Sequence, residues 1–222
     1  MLNRGLIVSC QAGEGEPLHG YNIMHYMAKA AVAGGACGIR ALYYDVDLIK
    51  GEVDVPVIGL VKKDYEDSEI YITPTKAEVD LVLATKAECV ALDATMRRRP
   101  NGETLEEIVA YIRKVAPNVE IMADVATIED AINAEKLGFD YISTTLRGYT
   151  KETANAVLPD VAFVAEVIRK VKASKVVAEG GIYETGELEK ISALNPYAVV
   201  IGSAVTRPAL ITKRFCGVLN LK

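Results

Sequence analysis

VEIMADVATIEDAINAEKLGFDYIST, residues 119–144, reads as a complete strand–helix–strand unit. An apolar run, Val119–Ala123, stops at the polar Asp124. Thr127 then opens Thr-Ile-Glu-Asp, the pattern of a helix N-cap, and a helical stretch runs to Leu137 before Gly138. Gly138-Phe139-Asp140 leads into a second apolar run, Tyr141–Ser143, which stops at Thr144. Buried parallel strands read as short apolar runs, and strands alternating with helical stretches argue for βα units.

The same phrase recurs on both sides. Upstream, Leu6–Cys10 ends at Gln11, Ala36–Ile39 at Arg40, Val55–Val61 at Lys62 and Glu88–Leu92 at Asp93. Downstream, Lys175–Ala178 ends at Glu179 and Tyr197–Ile201 at Gly202. The total of eight units predicts a (β/α)8 TIM barrel, one domain over residues 1–222. Asn22–Ala33, Thr104–Ala116, Val161–Val171 and Thr185–Leu194 read as further helices, the last with Thr185 as an N-cap. Barrel chemistry sits at the C-terminal ends of the strands, so the eight terminal residues are the first candidates for a site. Two long loops, Ala12–Gly20 and Arg147–Asp160, fall at that same face, where such loops are usually functional.

Composition narrows the classes. The chain has 25 basic and 30 acidic residues, a net charge of −5 that argues against a nucleic-acid surface. No apolar stretch has the length of a signal peptide core or a membrane span, so no membrane association is expected. Cys10, Cys37, Cys89 and Cys216 show no Cys-x-x-Cys spacing, and a reduced, cytoplasmic protein is the default reading. His19 and His25 lack a third partner, so no metal site is expected. Arg97-Arg98-Arg99 reads as a solvated loop cluster.

Two glycine-bearing loops close the chain. Glu179-Gly180-Gly181 follows the seventh run, and Ile201-Gly202-Ser203-Ala204 follows the eighth. In many barrels these two loops hold a phosphate through backbone N–H groups, and glycine lets the backbone approach. Arg207 lies just beyond, where a guanidinium adds a charge-assisted contact. Lys62 and Lys63 are adjacent and only one points inward; the pattern alone does not say which. A lysine in a barrel mouth becomes a base when burial or a neighbouring cation lowers its pKa. Glu179 ends the strand four places on, on the opposite wall, a suitable geometry for acid–base work on a small molecule. Gln11, Arg40 and Asp124 offer positioning groups, while Thr144, Thr145 and Tyr149 offer hydroxyls.

Beyond these patterns the residues resemble a family. Leu6-Ile7-Val8-Ser9-Cys10-Gln11-Ala12 with Glu16-Pro17-Leu18-His19, Gly38-Ile39-Arg40, and Pro56-Val57-Ile58-Gly59 through Lys62 resemble the bacterial N-acetylmannosamine-6-phosphate 2-epimerases. So do Ala91-Leu92-Asp93-Ala94-Thr95, Met122-Ala123-Asp124, Ser143-Thr144-Thr145-Leu146, Gly148-Tyr149-Thr150, Glu179-Gly180 and Thr206-Arg207-Pro208. The resemblance implies interconversion of N-acetylmannosamine 6-phosphate and N-acetylglucosamine 6-phosphate, in amino-sugar (sialic acid) catabolism, without metal or organic cofactor. It places the catalytic residues on Lys62, rather than Lys63, and on Glu179. It places sugar contacts on Gln11, Arg40, Asp124 and Tyr149, and phosphate contacts on Gly181, Gly202, Ser203 and Arg207. Gly181 and Ser203 depart from the family pattern at the phosphate loops. A homodimer with the C-terminal helix at its interface is also implied. Another phosphosugar epimerase, or a non-catalytic barrel binding a phosphate ligand or flavin, are the competing readings.

Overall fold

The computed structural model describes residues 1–219. Eight parallel strands close into a barrel in sequence order: β1 Gly5–Cys10, β2 Gly38–Leu42, β3 Val57–Leu60, β4 Cys89–Asp93, β5 Glu120–Asp124, β6 Tyr141–Ser143, β7 Lys175–Glu179 and β8 Ala198–Ile201. Helices α1 Met24–Ala33, α2 Tyr43–Lys50, α3 Lys76–Leu83, α4 Leu105–Val115, α5 Ile128–Lys136, α6 Val161–Lys170 and α7 Thr185–Ser192 lie between the strands. After β8 come the short α8 Ser203–Thr206 and the terminal α9 Pro208–Leu219. The expected single barrel with a terminal helix therefore forms over the described residues, and residues 220–222 of the predicted domain lie outside them.

Period-two alternation sorts each strand into two faces. Ile7, Leu42, Ile58, Leu60, Ala91, Met122, Tyr141, Val177 and Val200 pack together as one cluster drawn from all eight strands, the barrel interior. Val8, Ile39, Val57, Val90, Ile121, Ile142, Val176 and Val199 belong to the clusters shared with the helices outside. Counting on by twos from the interior set reaches Ser9 and Gln11, Lys62, Asp93, Asp124, Ser143 and Thr145, Glu179 and Gly202, and counting back by two from Leu42 reaches Arg40. The polar mouth is the continuation of the apolar plug, at the C-terminal ends of the strands.

Helix starts follow local chemistry. Thr127 and Asp130 form a reciprocal capping box at α5, as do Thr104 with Glu107 at α4 and Thr75 with Glu78 at α3. Three expectations need correction. Glu184, not Thr185, sits at the N-cap of α7, its backbone N–H donating to Glu187 Oε2 at 3.0 Å. Arg40 does not end its strand: β2 runs on to Leu42, because alternation keeps Arg40 inside and lets Leu42 close the layer above it. The arginine run is not a solvated cluster. Arg99 is buried, donating to the backbone carbonyls of Pro74 and Asp93, and Arg97 pairs with Asp93 at 2.7 Å. Only Arg98 of the three is exposed. Asp93 is thereby occupied with holding its own loop, through Thr95 as well as Arg97.

Candidate active site

A cavity of about 170 Å³ opens at the C-terminal mouth, lined by Gln11, Arg40, Lys62, Thr145, Tyr149, Glu179, Gly181, Gly202, Ser203 and Arg207 among others. Nine of the ten sequence-predicted site residues line it. Asp124 is the exception: it is fully buried beneath the cavity, behind Arg40.

The adjacent lysines are split by the alternation. Lys63 turns outward, where its ammonium donates to Glu78 Oε1 at 2.8 Å and lies over the Tyr65 ring. Lys62 turns inward, reachable by solvent through the mouth but walled by protein. Among the described residues it has no carboxylate hydrogen-bonded to it; the charges acting on it include those of Arg207 and Arg40. Burial, first, and then these two cations hold the Lys62 amine below the usual lysine range. Glu16 and Glu179 oppose that shift without cancelling it.

Arg40 forms the floor. Its guanidinium forks onto Asp124, Nη1 to Oδ1 at 3.0 Å and Nη2 to Oδ2 at 2.6 Å, with Glu179 Oε2 at 3.5 Å from Nη1. Burial acts to lower its pKa, but the Asp124 and Glu179 charges outweigh that and Arg40 stays charged. Glu179 hangs over this pair. Its backbone N–H donates to Thr144 Oγ1, which donates back to the Glu179 carbonyl, both at 2.9 Å. Thr144, unassigned by sequence, is the clasp that fixes the end of β7. Burial pushes the Glu179 carboxyl above the ordinary range; Asp124 adds to the rise and Arg40 opposes it.

Opposite this polar floor the loops after β7 and β8 meet. Gly180 and Gly181 both adopt positive φ, +115° and +70°. Among the described residues, the N–H groups of Gly180, Gly181, Ser203 and Ala204 make no hydrogen bond, leaving donors at the cavity rim. Arg207 donates to Ser203 Oγ at 3.1 Å and to Glu16 Oε1 at 2.8 Å, so the rim is tied to the loop after β1. Gln11 donates to Ser9 Oγ at 2.9 Å, and Tyr149 overhangs from the loop after β6. Glu16 escaped the sequence reading of the site, since a partner to Arg207 from 191 residues away leaves no local pattern. Ser9 was findable, two residues before Gln11 on the same face. Tyr71, also in the lining, comes from a long loop with no register to count from.

Gly181 has no room for a side chain. An added Cβ would lie 2.3 Å from Leu158 Cβ. Gly181→Ala is expected to cost about 1–3 kcal/mol through overpacking and positive φ. It should also raise KM for a phosphorylated substrate; unchanged KM and urea midpoint would contradict the tight packing of this loop.

Such a barrel, with an unpaired amine and a protonatable carboxylate facing an anion-binding rim, defines an enzyme of acid–base chemistry on a small phosphorylated ligand. A family model described as "Putative N-acetylmannosamine-6-phosphate epimerase" matches residues 24–220. The chain belongs to this family. It is 55% identical over 218 residues to a "Putative N-acetylmannosamine-6-phosphate 2-epimerase" of Staphylococcus carnosus, covering 97% of this chain and 96% of that one. A Staphylococcus aureus protein of the same description is 52% identical, covering 99% and 100%. The solved N-acetylmannosamine-6-phosphate 2-epimerase from Clostridium perfringens superposes with a TM-score of 0.93 at 47% identity, covering 98% of this chain and 94% of that chain.

Proposed function

We propose that this chain interconverts N-acetylmannosamine 6-phosphate and N-acetylglucosamine 6-phosphate by removing and returning the C2 proton. The observation that carries the reading is one cavity holding a lysine amine of lowered pKa, a carboxyl of raised pKa and a rim of free N–H groups. Family membership supplies the identity of the sugar.

The C2 proton becomes acidic only when C1 is an aldehyde, so the ring opens first. Glu179 gives a proton to the ring oxygen as its bond to C1 breaks, the C1 hydroxyl releases its proton to water as the aldehyde forms, and both transfers reverse on closure. Neutral Lys62 then takes up the C2 proton, and the enolate oxygen formed at C1 is stabilised by Arg40, a fixed cation that needs no reorganisation. Return of a proton to the other face completes the epimerisation. Gly181, Gly202, Ser203 and Arg207 hold the phosphate, while Gln11, Arg40 and Tyr149 hold the sugar. Asp124 acts on the sugar only through Arg40. Proton transfer out and back is redox-neutral, and activity is expected to survive EDTA.

Proton NMR of N-acetylmannosamine 6-phosphate in deuterium oxide with the enzyme tests the reading. Growth of N-acetylglucosamine 6-phosphate signals with deuterium at C2 is expected. An unchanged spectrum would reject it.

Arg207 plays two parts in this scheme, which gives a separable prediction. Its charge helps keep Lys62 neutral, and only the neutral amine is a base, so kcat/KM rises with pH through the lowered Lys62 pKa. Arg207→Gln removes the cation. The rising limb is expected to move to higher pH, together with a rise in KM of about tenfold for one lost charged hydrogen bond. A pH–rate series checks both, and an unmoved limb would remove Arg207 from the tuning of Lys62.

The proposal includes a cytoplasmic homodimer. Helix α9 has no buried residue, and Leu210, Phe215, Val218 and Leu219 are all exposed on it. A second copy is the partner that would cover them. Light scattering is expected to give about twice the 24.0 kDa chain mass; a monomer would refute this part.

A further inference from the structure

One hydroxyl stands between the two carboxylates of the floor. Thr145 Oγ1 lies 2.7 Å from Asp124 Oδ1, 2.9 Å from Glu179 Oε2 and 2.8 Å from Ser143 Oγ. A threonine hydroxyl has one proton and two lone pairs, so it donates to one carboxylate and not to two. With both carboxylates ionised, one of the short contacts would set a hydroxyl lone pair against an anionic oxygen. Both contacts become hydrogen bonds once one carboxyl carries a proton.

Geometry decides which one. Asp124 has both oxygens engaged by the Arg40 fork and is fully buried, so its charge is neutralised in place. Glu179 meets Arg40 only at 3.5 Å, outside the fork, and its side chain reaches the cavity. We propose that Thr145 is a positioning residue that keeps Glu179 in its acid form: Glu179 Oε2–H donates to Thr145 Oγ1, and Thr145 donates on to Asp124 Oδ1. Ser143 Oγ lies beside this pair, 2.8 Å from Thr145 Oγ1 and 3.4 Å from Glu179 Oε2, to which it donates. When Glu179 passes its proton to a ligand, the Thr145 hydroxyl turns and donates to the new carboxylate. Thr145 keeps its own proton throughout, and Asp124 stays paired with Arg40.

Other groups around Glu179 act in both directions. Arg40 from β2 and Lys62 beyond β3 favour the carboxylate. Asp124 from β5 favours the acid, and Tyr149 overhangs from the loop after β6. Ser143 and Thr144 are the neutral partners on β6, and β8 contributes the apolar Val200. Burial and Asp124 raise the Glu179 carboxyl, whereas Arg40 and hydroxyl bonds from Thr145 and Ser143 to the ionised form oppose the rise. The relay requires Thr145 to accept from the acid rather than donate to the carboxylate.

The inference rests on the acid–base role proposed above for Glu179, but its test needs no substrate. Infrared difference spectra of the unliganded enzyme are recorded across pH, and Glu179→Gln assigns the carboxylic-acid C=O band by its loss. The wild type is expected to show the band near neutral pH, and Thr145→Ser to retain it. In Thr145→Val the band should titrate away at a pH lower by about one unit, a tenfold loss of proton affinity. Turnover should fall in that variant, with KM held within about twofold. A hydroxyl serving only as donor to an ionised Glu179 predicts the opposite shift on its removal. A band absent from the wild type, or a titration unmoved or raised in Thr145→Val, would overturn the relay. Thr145→Ala is read the same way if the valine variant does not fold. Failure of the epimerase assay would leave this titration standing on its own.

Discussion

Lys62→Ala is expected to lower turnover by about 10²–10⁴-fold, the usual contribution of a positioned general base. Exchange of the C2 proton with solvent deuterium should fall by the same factor, since the amine is assigned to that step and to no other. Lys62→Arg should not rescue it, because a guanidinium stays charged at every working pH. The stability of the alanine variant runs the other way. The folded pKa of Lys62 lies below its ordinary 10.5, so the native state binds its proton more weakly than the unfolded chain does. Below both values the ammonium is charged in either state, and the desolvation and cation repulsion that lower its pKa fall on the native one, reduced by the solvent that reaches Lys62 through the mouth. Lys62→Ala should therefore unfold, at neutral pH, at a urea concentration no lower than the parent. The combination is a strong test: inactive and folded supports the base, whereas undiminished C2 exchange removes Lys62 from the mechanism.

Period and polarity made most of this legible. Each strand announced itself as an apolar run, and most runs stopped at a polar residue because the apolar plug of the barrel ends at the C-terminal mouth, where buried polar groups such as Asp93 and Asp124 pair with Arg97 and Arg40. Thr127 announced α5, since a capping box is a contact between residues three apart. The site was legible where one residue at a strand end did one thing, as with Lys62 and Glu179. Pattern left Lys62 and Lys63 open and the resemblance chose Lys62; the register of the interior set through Ile58 and Leu60 turns the same lysine inward. The family resemblance placed Asp124 on the sugar; what sequence could not show is that a guanidinium from β2 reaches across to cover it. Arg97 and Arg99 misled because charges in a loop read as solvated: Arg97 folds back on Asp93 four residues before it, and Arg99 is buried on the carbonyl of Pro74, 25 residues away.

Asp124→Ala is the second large effect, and it separates the two roles given to that residue. Arg40 is 2% exposed and Asp124 0%. Removing one partner of such a pair strands a charge in the interior and costs about 3–5 kcal/mol, to be measured by urea unfolding. A residue that merely touched the sugar would instead raise KM and leave the unfolding midpoint where it was. Replacing both partners, Arg40→Leu with Asp124→Leu, should regain most of the lost stability, since apolar side chains of similar size often match or exceed a buried ion pair. Activity should not return with it. In the single variant Arg40 loses its fork and is left with Glu179, 3.5 Å away, as the nearest anion. Glu179 would then become the counter-ion of Arg40, and its carboxyl would fall from the raised position that Asp124 helps to maintain. An acid turned permanent carboxylate cannot protonate the ring oxygen, so turnover falls even where the variant remains folded. Asp124 thus acts at one remove, keeping Arg40 occupied so that Glu179 is free to carry a proton.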